Sequence, residues 1–168
     1  MSDANEDLGT IRREGDQFYA CLQRELQHSP SAVWAMLTES GKLAQWLAPG
    51  EIETRLGGCA KLNFVDSGIV IDSEVSAFEP MQVIEYSWSG IDEPLRPLRF
   101  EIEAAADGSR LRMHLRTPID EDIARSCAGF EAHLMMLLAA LEGVPIKFPF
   151  DRFQASRASY NAMLEQTP

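Results

Sequence analysis

Positive charge is scarce in this 168-residue chain: 15 Lys and Arg stand against 26 Asp and Glu, for a net charge of −11. That deficit excludes the basic stripe that displaces counterions from nucleic-acid phosphate, and it disfavours an anionic membrane surface for the same reason. Cysteine is nearly absent. Cys21, Cys59 and Cys127 are odd in number and far apart, which fits neither a disulfide framework nor a zinc site and points to a reducing compartment. His28, His114 and His133 are too scattered to read as a metal cluster, so neither a metal nor a cofactor is expected. Long apolar runs are missing too. The longest, Leu134 to Leu141, falls well short of the ~20 residues a membrane-spanning helix needs, and no membrane insertion is expected. Met1-Ser2-Asp3-Ala4-Asn5-Glu6-Asp7 is acidic and polar, the reverse of a secretory signal, and a cytoplasmic location follows as the expectation.

What is present suits one folded domain, since 45% of the residues are hydrophobic and only 24% charged. Residues 1–15 are polar and aperiodic and read as a disordered acidic lead-in. From Asp16 the chain alternates: Phe18, Ala20, Leu22 and Leu26 share one side with Arg24, as in a half-buried strand. Ser29-Pro30 then offers a cap and a helix-opening proline. Val33, Trp34 and Leu37 follow at helical spacing, Gly41 breaks that helix, and Leu43, Trp46 and Leu47 lie on a second short one. Strand-like segments succeed one another at 51–55, 59–65, 69–78, 83–88, 98–104 and 109–116. Between the last two, Asp107-Gly108 reads as a two-residue turn. That turn sets Phe100 opposite Leu115, Ile102 opposite Met113 and Ala104 opposite Leu111 inside, with Glu103 facing Arg112 and Glu101 facing His114 outside.

After Asp120-Glu121-Asp122, whose charge suits a helix start, Ile123, Cys127, Phe130, Leu134, Leu137, Leu138 and Leu141 form one apolar stripe. Gly143 and Pro145 end it. Phe153, Arg157, Tyr160 and Leu164 mark a last amphipathic stretch within a 144–168 extension, docked either on the 16–143 domain or on a second subunit of a homodimer.

This order of elements is that of an α+β helix-grip fold, a curved antiparallel sheet of about six to seven strands wrapped on a long C-terminal helix, with two short helices after the first strand. The residues also resemble a family. Ser29-Pro30, Val33-Trp34, Leu43, Trp46, Arg55-Leu56-Gly57-Gly58, Glu79-Pro80, Ile84 and Trp88 are similar to the START-like (SRPBCC) superfamily, as are Gly129-Phe130, Leu134, Leu138 and Leu141-Glu142-Gly143. The branch they match is the one related to the activator of the heat-shock protein 90 ATPase. That branch more often has Gly-Trp where this chain has Gly129-Phe130. The resemblance implies a cavity between sheet and long helix for a hydrophobic or aromatic small molecule.

No nucleophile–base pair is legible. The cysteines sit at apolar or half-buried positions, His114 reads as a solvated partner of Glu101, and His133 falls on the polar flank of the long helix. Gly57-Gly58 lacks the strand–turn–helix context of a phosphate loop. The candidate cavity lining is therefore apolar and aromatic: Trp46, Phe64, Tyr86, Trp88, Phe100, Met113, Phe130, Leu134, Leu137 and Leu138, with Ser73 as a polar group. Arg24, a charge on an inward face, requires a partner. Two other readings stand beside ligand binding. One is an enzyme of the cyclase, dehydratase or hydrolase kind, with Tyr86, Arg24 or a cysteine as its titratable group. The other is a chaperone-interaction module.

Overall fold

The computed structural model describes residues 8–64 and 67–166. In chain order the elements are β1 (Thr10–Glu14), β2 (Gln17–Leu26), α1 (Pro30–Thr38), α2 (Ser40–Trp46), β3 (Gly50–Ile52) and β4 (Cys59–Phe64). They continue with β5 (Ile69–Glu79), β6 (Val83–Ser87), β7 (Pro97–Ala105), β8 (Gly108–Pro118), α3 (Ile123–Leu141) and α4 (Phe150–Glu165). All strands belong to one antiparallel sheet in the order β1-β2-β8-β7-β6-β5-β4-β3. Period-two alternation turns Leu111, Met113 and Leu115 of β8 inward with Leu98, Phe100 and Ile102 of β7, and α3 covers them. The helix-grip architecture holds.

The sheet has eight strands where about six to seven were expected. The additional one lies in the supposed lead-in: Thr10–Glu14 pairs with β2 from Thr10↔Cys21 to Glu14↔Gln17. Gly15, at φ 64°, and Asp16 form the turn between them. Without β1, the outer edge of the ten-residue strand β2 would present a row of unpaired backbone groups. Residues 1–7 of that expected lead-in lie outside the described residues.

The β7–β8 turn is also displaced. Its residues are Ala106 and Asp107, and the register pairs Leu98↔Leu115, Phe100↔Met113 and Ile102↔Leu111. Glu103 accordingly faces Arg110, and Glu101 faces Arg112. A shift of two residues keeps the parity of both strands while changing every partner, and Ala104, expected inside opposite Leu111, is exposed near the turn and pairs with Ser109. Gly108 explains the displacement. It opens β8 at φ 153°, and a Cβ there would stand 2.2 Å from the Leu26 carbonyl oxygen, so it serves close packing rather than the turn.

Local chemistry sets the helix ends. Ser29 Oγ accepts from the Ala32 amide and Asp122 from the Arg125 amide, capping α1 and α3. The break after α1 falls at extended Glu39, and Gly41 lies inside α2. Trp46 is held by its indole N–H, which donates to the Met36 carbonyl at 2.7 Å. By length and apolarity α3 would suffice to cross a membrane, but its apolar face is spent on the core and it buries Glu131 mid-length. Beyond α3, the segment 144–149 has no regular structure, and α4 then returns along α3.

Candidate functional site

The inward faces of β6, β7 and β8 bring most of the expected lining together beneath α3. Trp46, Tyr86, Phe100, Met113 and Leu137 are all buried and packed: Trp46 meets Phe100 edge-on with centroids 6.2 Å apart, and Tyr86 lies 6.5 Å from Phe100. Phe130 and Leu134 complete this floor. Leu138 does not join it. It is 42% exposed, because the four-residue step from Leu134 turns it about 40° further around the helix. Ser73 spends its hydroxyl on the Ser87 carbonyl at 2.7 Å. Arg24 finds its partner in Glu131 of α3, a carboxylate with no exposed surface that also accepts from Tyr160 Oη at 2.6 Å. The Arg24 position is thus structural, tying β2 to both long helices.

Beside this floor a row of rings, from buried Phe130 to the 39%-exposed Phe148, runs from the sheet to the C-terminal segment. Phe130 lies 5.2 Å from Trp88, Trp88 lies 5.7 Å from Phe64, and Phe64 lies 5.7 Å from the His133 imidazole. His133 lies 5.3 Å from Phe148, which in turn contacts Phe153. Most of these contacts are edge-to-face, the arrangement aromatic quadrupoles prefer. Phe64 ends β4, Trp88 follows β6, and Phe148 stands in the irregular segment before α4.

His133 is the polar member of that row. Its Nδ1 lies 2.8 Å from the Trp46 carbonyl oxygen. A carbonyl only accepts, so Nδ1 carries the proton and the neutral ring presents Nε2 as a lone-pair acceptor. Burial pulls the imidazole below its ordinary pKa, partly countered by that same hydrogen bond, and the ring is neutral near pH 7. Among the described residues, no group donates to Nε2. The Tyr86 hydroxyl likewise has no hydrogen-bond partner among them, and burial raises its pKa.

Reading His133 as lying on a polar flank misses its position. It is three residues from Phe130 and four from Leu137, both buried, and that spacing places it on the same helix face. Phe148 carries no periodic signal at all, standing between Pro145 and Pro149 in an irregular segment.

Elsewhere the chemistry is quiet. The pKa values of all three thiols are raised: Cys127 and Cys21 chiefly by burial, Cys59 chiefly by its hydrogen bond with Glu53. None has the lowered pKa of a reactive cysteine. Among the described residues no three His, Cys, Asp or Glu side chains converge as a metal site. His114 pairs with Glu101 at 2.8 Å and also touches Tyr19 Oη, over an outer-face hollow of about 270 Å³. Arg99 and Arg116 beside it are already engaged by Glu101 and Glu14. A wider open groove of about 740 Å³ runs along the outer face of β3, β4 and β5.

Residues 27–142 match the family described as Activator of Hsp90 ATPase homolog 1-like protein. Among curated proteins there is no match. The fold recurs in solved structures. A conserved protein of unknown function from Enterococcus faecalis has a TM-score of 0.75 at 20% identity, over 94% of this chain and 90% of that one. CalU16 from Micromonospora echinospora has a TM-score of 0.75 at 17% identity, over 92% and 94% of the two chains. DynU16, a protein of the dynemicin biosynthetic locus, has a TM-score of 0.70 at 23% identity, over 79% of this chain and 49% of DynU16.

Proposed function

From the premise that this chain belongs to the Activator of Hsp90 ATPase homolog 1-like family, we propose that it binds a hydrophobic or aromatic small molecule in the wedge between the sheet and α3. The observation that carries this reading is the aromatic row Phe130–Trp88–Phe64–His133–Phe148, buried at Phe130 and exposed at Phe148. The ring surface left uncovered along this row costs hydration free energy that an apolar ligand would recover, at roughly 25 cal/mol per Å² covered. The deep floor is close-packed, so the ligand enters at the mouth, where Phe148 is 39% exposed on an irregular segment. Similarity of fold to CalU16 and DynU16, the latter from a biosynthetic locus, supports a small-molecule role over a chaperone module. Three separate free thiols fit work in the reducing cytoplasm.

Native mass spectrometry of the gently purified full chain tests the proposal directly. A co-purifying mass, or saturable binding of naphthalene with quenching of Trp88, is the expected result. No bound species and no naphthalene binding, in either the parent or a Phe148→Ala variant, would remove it.

One observation favours a second reading, an enzyme of the cyclase, dehydratase or hydrolase kind acting in the same wedge. His133 is a neutral imidazole with a free acceptor nitrogen, the form in which histidine serves as a general base.

A further inference from the structure

The Nε2 atom of His133 is a polar acceptor set in apolar surroundings. Two rings neighbour the imidazole, Phe64 on β4 and Phe148 before α4, with Trp88 one ring further along the row. Its orientation is fixed from the other side of the ring by the Nδ1–Trp46 hydrogen bond. Nε2 retains solvent contact, so a ligand's donor has to match the hydrogen bond that water can give it. Phe148, whose ring centroid lies 5.3 Å from that of the imidazole, has no donor to offer it.

We infer that His133 makes the wedge selective for aromatic molecules bearing a hydroxyl, whose O–H donates to Nε2 while the ring takes the place now filled by Phe148. The inference rests on the ligand-binding reading above and names the ligand class for that site. A neutral donor fits better than an ammonium group. No carboxylate among the described residues is paired with His133, so a buried cation would lack a counter-charge. The imidazole itself stays neutral through burial and so remains an acceptor rather than a competing donor.

The preference runs against simple hydrophobicity, which makes it separable. A purely apolar site ranks 2-methoxynaphthalene and naphthalene above 2-naphthol, because the hydroxyl must be desolvated. A site with a waiting acceptor reverses the order.

The test measures equilibrium dialysis of these three compounds and of protonated 2-(aminomethyl)naphthalene against the full chain. The expected result is 2-naphthol bound about tenfold more tightly than its methyl ether, with that ratio collapsing to near unity in His133→Phe. Phe148→Ala, which vacates the mouth and keeps the acceptor, should raise 2-naphthol affinity more than naphthalene affinity. Should His133→Phe fail to fold, the ¹⁵N resonance of Nε2 in the parent protein decides, since it should shift with 2-naphthol and not with the ether. Equal binding of naphthalene, ether and naphthol overturns this inference while leaving the apolar-ligand reading intact. Tightest binding of the ammonium compound overturns it in favour of a cation site. No binding of any compound, to the parent or to Phe148→Ala, removes both.

Discussion

Tyr160 Oη donates to Glu131 Oε1 at 2.6 Å and accepts from the Gly9 amide at 2.8 Å. One phenol therefore joins α4, α3 and the residue that precedes β1. Both Gly9 and Tyr160 lie outside the family-matched residues 27–142. The two ends of the chain are thus fastened to the shared domain at one buried point, which Arg24 completes from β2.

Tyr160→Phe keeps the ring but leaves the Gly9 amide and one Glu131 oxygen unpaired in a buried setting. The expected cost is about 1–3 kcal/mol, read as a fall of several degrees in calorimetric melting temperature. Glu131→Gln removes the negative charge of the Arg24–Glu131 pair and should cost more, because breaking a largely buried ion pair is strongly destabilising. A Tyr160→Phe protein that melts with the parent would show that the linkage carries no stability.

His133 sets a pH dependence whose sign is fixed by its lowered pKa. Below about pH 6.5 the unfolded chain takes up a proton at this site that the native state refuses. Stability should therefore fall as the pH drops from 6.5 towards the native pKa, and level off below it. His133→Phe should flatten this segment of the stability profile, measured by urea midpoint between pH 7 and 5. The parent slope surviving unchanged in the variant would assign the dependence to another group.

Neighbouring leucines on α3 should respond oppositely to bulk. Leu137 is fully buried over the close-packed floor, and Leu137→Trp should cost about 1–3 kcal/mol in strain. Leu138→Trp, at an exposed position, should melt within a degree or two of the parent. Equal tolerance at both sites would mean that an unfilled space lies under Leu137.

Across the outer face, Glu103 lies 2.8 Å from Arg110 and 3.4 Å from Arg112. A double-mutant cycle on Glu103–Arg110 should give a larger coupling than one on Glu103–Arg112. The reverse order would restore the pairing expected from an Asp107-Gly108 turn.

The inward and outward faces were readable from period-two and three-four spacing alone, since Leu98, Phe100, Ile102, Leu111, Met113 and Leu115 all turn inward. The exact pairing was not, because Gly108 answers to the backbone of Leu26 rather than to its own turn. β1 escaped notice because Thr10–Glu14 is an edge strand with scarcely a buried residue, and edge strands carry little alternation. Gly15-Asp16 was its one visible sign, a favoured two-residue hairpin turn. Of the site, the rings Phe64, Trp88 and Phe130 were legible as inward aromatics. His133 and Phe148 were not, since polarity masked the first and prolines flanked the second.

β5 has a consequence for motion. Its first half, Ile69 to Glu74, pairs with β4, and its second half, from Val75, pairs with β6, with an irregularity between Val75 and Ala77. β3, β4 and the first half of β5 therefore form a leaf that meets the rest of the sheet mainly through β5, with the Asp72 amide and the Ser73 hydroxyl adding bonds to the Ser89 and Ser87 carbonyls. Amide protons of that leaf should exchange with solvent as a unit, ahead of those in β2, β7 and β8. Phe64, at the end of β4 and in the aromatic row, belongs to that leaf, so an opening of the leaf would change the distance between Phe64 and His133.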